Sequence, residues 1–185
     1  MTTSEEVLEL IVGSLQDATA RRTPFTLGYL GTVGIDGGPR VRAVILRRFD
    51  PVRSRVMFAT DSRSEKVPEI RRNPRVALTM GDDQRAVQLR VEGHAVLVDD
   101  TDERESVWET FGPHSRELYS SPAVPGTPMR ERPEAFDDDA TAFERFAWVG
   151  VELERLDWLD LSVPRHARWK FVRRDSGWSG QRVVP

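Results

Sequence analysis

The strongest constraint on this chain is a close succession of strand-patterned segments with few helices between them. In the segment 86–98, Val87, Leu89 and Val91 alternate with Gln88, Arg90 and Glu92, which predicts one buried and one polar face. Phe25, Leu27 and Tyr29 alternate in the same way. Asp36-Gly37-Gly38 marks a hairpin turn, and Arg40 to Phe49 reads as the return strand. Further strands are expected over 55–61, 75–81, 145–161 and 167–174, with a short one near the C-terminus. Six or seven strands at such spacing close most readily into an antiparallel barrel. No βαβ alternation is present, so a doubly wound parallel sheet is not expected. The fold class is mainly β with flanking helices (α+β).

Three helices are expected. Residues 3–20 carry a capping box, Thr3 with Glu6, and a stripe of Leu8, Ile11, Leu15 and Ala18; this N-terminal helical unit is taken as 1–22. A short helix over 64–73 has Pro68 in its first turn, and 101–121 looks helical. The proline-rich, acidic stretch 122–141 reads as a surface loop. The 185 residues fit a single domain, 1–185, and 38% hydrophobic with 31% charged residues is ordinary for a globular chain. A net charge of −3 gives no global pull toward nucleic acid or anionic membrane, so an anion site must be local. The absence of cysteine excludes disulfides, thiolate metal sites and a cysteine nucleophile. Acidic residues ahead of the first apolar stretch do not fit a signal peptide, and no run approaches the ~18 apolar residues of a membrane span. A cytoplasmic protein is expected.

Nucleotide and hydrolase motifs are missing. Gly31, Gly34, Gly37 and Gly38 belong to a hairpin and not to a G-x-G-x-x-G fingerprint; there is no Walker A motif and no G-x-S-x-G elbow. His94, His114 and His166 are far apart, and no metal site is expected. Two basic clusters stand out between residues 41 and 70. Arg42, Arg47 and Arg48 punctuate an apolar strand, and Thr60, Ser62, Arg63, Ser64 and Lys66 gather at a strand-to-helix junction. Hydroxyls and cations at such a junction suit a phosphate, although Ser64 is equally explained as an N-cap and Arg48 as a solvated strand residue.

In the pyridoxamine 5′-phosphate oxidases, a strand R-x-V-L-L-K is followed by a Y-T strand end and an S-R-K helix start. This chain resembles them: it has Arg42-Ala43-Val44-Ile45-Leu46-Arg47, then Ala59-Thr60, then Ser64-Glu65-Lys66. The family's R-Q-V-x-V-x-G is similar to Val87-Gln88-Leu89-Arg90-Val91-Glu92-Gly93. Its W…H-x-R is similar to Trp158, His166 and Arg168, and its terminal G-W…R-L-x-P to Gly177-Trp178 and Arg182-Val183-Val184-Pro185. The resemblance spans roughly residues 20–100 and 145–185 in one order.

The resemblance implies a split β-barrel of the FMN-binding type, with flavin mononucleotide (FMN) as cofactor and a flavin-dependent oxidoreductase activity. It implies that Arg42, Ser64 and Lys66 hold the FMN phosphate, with Ala43, Val44 and Thr60 in the same matched segments. Arg47 would lie near the ring or ribityl chain, and Gln88 at the ring's polar edge. Trp158 and Arg168 would close the site from a partner subunit, making the protein a homodimer with FMN at the interface. His166 matches a substrate position, and Arg116 could stand in for a substrate arginine. The departures are local. Glu65 replaces an arginine beside the phosphate and must point away or pair with a neighbour such as Arg63, while Pro164, with Arg165 adjacent, replaces a substrate arginine. Arg42 and Arg47, five apart, need a bulge or a cofactor that wraps the strand edge if both touch one ligand. Dimerisation is also expected because Trp148, Trp158 and Trp169 on strand faces would otherwise expose apolar surface. A non-catalytic flavin-binding module, or a barrel binding deazaflavin or haem (with His94 or His166 as axial ligand), are the alternatives.

Overall fold

The structure, a computed structural model, describes residues 2–128, 135–175 and 177–185. Helix α1 (Ser4–Ala20) starts on the expected capping box, Thr3 and Glu6 each bonding the other's backbone N–H. It buries Val7, Ile11, Leu15 and Ala18 against the sheet. Strands β1 (Leu27–Val33), β2 (Pro39–Asp50) and β3 (Arg55–Asp61) follow, then α2 (Lys66–Arg72), β4 (Arg75–Asp82) and β5 (Val87–Leu97). The chain continues through α3 (Thr101–Glu109), α4 (Pro113–Ser120) and α5 (Asp139–Arg145). It ends in β6 (Phe146–Asp160), β7 (Ala167–Arg174) and β8 (Gly177–Val183).

All pairings are antiparallel, in the order β3-β2-β1-β4-β5-β6-β7-β8, and β6 also pairs with β3. That extra pairing closes six strands into a barrel. The split comes from the length of β6. Along one side it pairs with β5 over Val149–Asp160; along the other it meets β3 over Phe146–Glu152 and β7 over Arg155–Asp160. The handover coincides with a bulge, where Glu92 faces Arg155 and Gly93 faces Leu153. A Cβ on Gly93 would lie 1.9 Å from the Glu152 carbonyl oxygen, so only glycine fits there.

Leu30, Leu46, Phe58, Leu78, Leu89 and Val149 fill the barrel, with α1 laid across it. A second apolar cluster, Met57, Val107, Trp108, Tyr119, Phe146 and Trp148, joins the outer face of β3 and β6 to the helices α3–α5. The expected 101–121 helix is broken at Thr110–Gly112 because Pro113 cannot continue a helix but begins α4 well. The expected 122–141 loop ends in α5, whose N-cap Asp138 accepts from the Thr141 N–H; residues 129–134 of that loop lie outside the described residues. The tryptophans also differ from expectation. Trp148 and Trp158 are 1% and 2% exposed, and Trp169 is half-buried, so they do not make the exposed apolar surface. That surface is instead the outer face of β1 and β2, where Leu27, Tyr29, Val33, Val41 and Ile45 lie side by side. Among the described residues no helix is long and apolar enough to cross a membrane.

Candidate functional site

One mouth of the barrel gathers residues from three separate segments. Arg42 and Val44 lie on β2 with their side chains toward the interior, Ala43 on its outer face opposite Tyr29. Thr60 ends the interior-facing row of β3, and α2 caps the opening. Here the Lys66 Nζ donates to Thr60 Oγ1 (2.9 Å) and to Ser64 Oγ (3.1 Å), while the two hydroxyls lie 3.1 Å apart. Ser64 Oγ in turn donates to the Asp61 carbonyl at 2.6 Å. It is therefore not the side-chain N-cap; the cap position is Glu65, which makes no capping bond. Arg42 donates to Glu69 (2.6 Å) and to Thr32.

Burial, and next the charge of Arg42, hold the Lys66 ammonium below the ordinary lysine range, outweighing the pull of Asp61, Glu69 and Glu65. Two cations crowded at a half-buried mouth beside two hydroxyls form a donor set that an anion would stabilise; a phosphate fits it. Glu65 is exposed and borders an open surface with Asp36, Arg40 and Pro68. Arg63 does not pair with it. Arg63 grips Asp61 through two bonds of 3.0 and 2.7 Å and donates to the carbonyls of Ser121 and Pro122.

Arg47 is the extra residue of a bulge on β2, between Leu46 opposite Phe58 and Arg48 opposite Met57. The bulge places Arg47 against the Phe111 ring (5.1 Å) and Arg48 against Trp148 (5.7 Å), both on the outer side. Arg48 is thus stacked and paired with Glu103, not merely solvated. Arg42 stays on the inner side, so the two arginines face opposite ways. β3 pairs with β2 only over Leu46–Asp50, however, which leaves the side of β2 near Arg42 free for a ligand to cross. Arg47 also borders a cavity of about 970 Å³ that runs between the end of α1 and the α3–α4 break.

The remaining expected residues lie at the other end of β6. Gln88 faces Leu159, and Leu159 faces Arg168, so Gln88 and Arg168 share one cross-strand row on the outer face. Arg168 is fixed by Asp157 through bonds of 2.9 and 2.7 Å, and Arg90 holds the same carboxylate at 2.9 Å. Burial alone would raise Asp157; the Arg168 bond and the charges of Arg90, Arg168 and Lys170 outweigh it and hold the carboxyl below its ordinary range. Trp158 points the opposite way, into the core, edge-on to Phe25. Ala147, which faces Thr60, is eleven residues from Trp158, roughly 36 Å along β6. Among the described residues no hydrogen bond or ion pair joins the mouth residues to the Gln88–Arg168 row.

His166 is exposed in the turn before β7 at φ 46°, and His94 is paired with Glu154 at 2.7 Å. Arg116 is committed elsewhere: it pairs with Asp139 at 3.0 Å, donates to the Phe111 carbonyl and lies over Trp108. Among the described residues no group of three or more His, Cys, Asp or Glu side chains could hold a metal. Sequence reasoning misses Thr32, Glu69 and Asp157, polar residues on a strand or helix with no motif around them.

The architecture is that of a split β-barrel with a cationic mouth. The sequence pattern of the pyridoxamine 5′-phosphate oxidase family matches residues 16–144. The chain belongs to that family. It is 31% identical to a pyridoxine/pyridoxamine 5′-phosphate oxidase of Rubrobacter xylanophilus, over 84% of this chain and 76% of that one. It is 23% identical to pyridoxine/pyridoxamine 5′-phosphate oxidase 2 of Arabidopsis thaliana, over 96% of each. Among solved structures, a pyridoxamine 5′-phosphate oxidase-related, FMN binding protein of Nostoc punctiforme superposes with a TM-score of 0.80, at 22% identity, over the whole of both chains.

Proposed function

We propose that the protein binds FMN between two copies of the chain and works as a flavin-dependent oxidoreductase. The observation that carries this is the mouth cluster. Arg42, Thr60, Ser64 and Lys66 come from two strands, a turn and the start of α2, yet Lys66 bonds both hydroxyls and lies close enough to Arg42 to feel its charge, a grouping that suits a phosphate. The Nostoc protein of the same fold is described as FMN binding, which supports the cofactor, and the curated relatives are oxidases.

The roles follow from position. Arg42 and Lys66 neutralise the phosphate, and Thr60 and Ser64 orient the Lys66 ammonium. Arg47, turned out by the bulge, faces the ring or ribityl chain, and the cavity beside it receives the substrate. Gln88, Trp158 and Arg168 close the site from the second copy, with Gln88 and Arg168 making direct contacts and Trp158 anchoring the strand between them from below. His166 stands at the rim on the substrate side; Arg116 is left to hold α4. When bound, the flavin supplies hydride or electron transfer between substrate and acceptor.

Two observations support dimerisation: no hydrogen bond or ion pair among the described residues joins the mouth residues to the Gln88–Arg168 row, and the outer face of β1 and β2 is apolar. Val41, 70% exposed on that face, tests it. Val41→Asp leaves the monomer's core untouched but places a charge in the interface. The expected result is a shift from dimer to monomer in light scattering, together with loss of FMN. A variant that stays dimeric with full flavin content counts against this face. The activity is tested on the yellow holoprotein under anaerobic conditions. NADPH or NADH should bleach the flavin bands, and an acceptor should restore them with turnover. A flavin that neither nucleotide nor pyridoxamine 5′-phosphate, the substrate for which the relatives are named, reduces would mark a carrier instead of an oxidoreductase.

A further inference from the structure

Glu69 takes no part in the roles above, yet at 4% exposure it is the most buried charged residue among those described. Its side chain enters the barrel mouth from α2. One oxygen, Oε2, accepts from Arg42 Nη2 at 2.6 Å and from Thr32 Oγ1 at 2.6 Å. Arg42 Nη1 also donates to Thr32 Oγ1, which closes a triangle of three residues from β1, β2 and α2. A buried carboxylate is costly unless its bonds are satisfied, and here both neighbours satisfy the same oxygen. Both terminal nitrogens of Arg42 are held, so the plane of the guanidinium is set before any ligand arrives. A free arginine side chain would lose rotamer freedom on being fixed by a ligand. Here that ordering is done in advance.

We propose that Glu69, with Thr32, is the positioning residue for the phosphate grip: it holds Arg42 in the one orientation that faces Lys66 and the FMN phosphate. The inference rests on the FMN reading above. A plain structural plug of the barrel mouth would affect all flavins alike, whereas a positioning residue for Arg42 acts only on a ligand that carries a phosphate. Riboflavin has the same ring and ribityl chain and no phosphate, so the ratio of riboflavin to FMN dissociation constants isolates the grip.

The test is titration of the flavin-stripped full chain with both flavins, followed by quenching of flavin fluorescence. Wild type should favour FMN strongly. Glu69→Ala should cut that preference on the order of tenfold, with riboflavin affinity within about twofold of wild type. Glu69→Gln keeps the shape and an oxygen acceptor for Arg42, and should stay within about threefold of the wild-type ratio. Thr32→Val removes one corner of the triangle at nearly constant volume and should lower the ratio by roughly threefold. It also keeps the test decisive if Glu69→Ala does not fold. Unchanged ratios in Glu69→Ala or Thr32→Val overturn the proposal, as does a Glu69→Gln no better than Glu69→Ala. Wild type that binds both flavins equally, or neither, removes the phosphate reading itself and the role of Glu69 with it.

Discussion

Arg42→Gln combined with Lys66→Met is expected to abolish FMN retention while leaving a folded barrel. Each of the two cations would donate a charge-assisted bond to the phosphate, worth about 1.5–3 kcal/mol. Losing both weakens binding by roughly two to four orders of magnitude. The choice of replacements follows from the neighbours. Alanine at 42 would strand the buried Glu69 carboxylate, whose loss of partner costs about 3–5 kcal/mol, whereas glutamine can still donate to it. Methionine keeps the bulk of the half-buried Lys66 stem without its charge. Arg75→Gln removes an exposed charge at the start of β4 and should keep its flavin, which separates the site from net charge. Flavin content from the absorption spectrum and circular dichroism of the same samples read the result. A double variant that is still yellow would remove the phosphate assignment.

Gly93→Ala is expected to be the most damaging small substitution in the barrel. The added methyl would sit 1.9 Å from the Glu152 carbonyl oxygen and 2.9 Å from its carbon, both backbone atoms that cannot rotate away. The strain falls where β6 passes from β3 to β7, so relief would part the strands that close the barrel. Overpacking of this severity costs about 3 kcal/mol or more, which lowers the melting temperature of a chain of this size by roughly 6–12 °C. Gly13→Ala is the control. Gly13 lies inside α1 with nothing within 4 Å of an added Cβ, and the substitution should be neutral or stabilising by up to about 1 kcal/mol. Equal melting temperatures for Gly93→Ala and wild type would mean that the bulge is not fixed as described.

The strands were legible because their side chains alternate and their turns carry glycine and aspartate; Val87 to Val91 and Asp36-Gly37-Gly38 are the clearest cases. The capping box of α1 was equally plain. The Gly112-Pro113 break was written in the sequence but was overridden by the polar helical composition around it. Other features are set by tertiary structure and leave no local mark. Glu69 sits in a helix beside Arg71 and Arg72 and resembles any solvated glutamate, because the barrel mouth that buries it is assembled from distant strands. The bulge at Arg47 follows from how β2 meets β3 and not from its own residue types. Trp148 and Trp158 occupy strands in any reading, but which face of the closed sheet they take depends on register. Arg42, Ser64 and Lys66 each have an ordinary explanation alone, and only the resemblance to the family groups them.

The central claim, that the barrel mouth holds the phosphate of FMN, is tested most directly by calorimetric titration of flavin-stripped protein with FMN. Saturation at one FMN per chain is expected, with riboflavin binding far more weakly and inorganic phosphate competing against FMN. Absence of saturable FMN uptake, or uptake indifferent to both the flavin's phosphate and added phosphate, would contradict it.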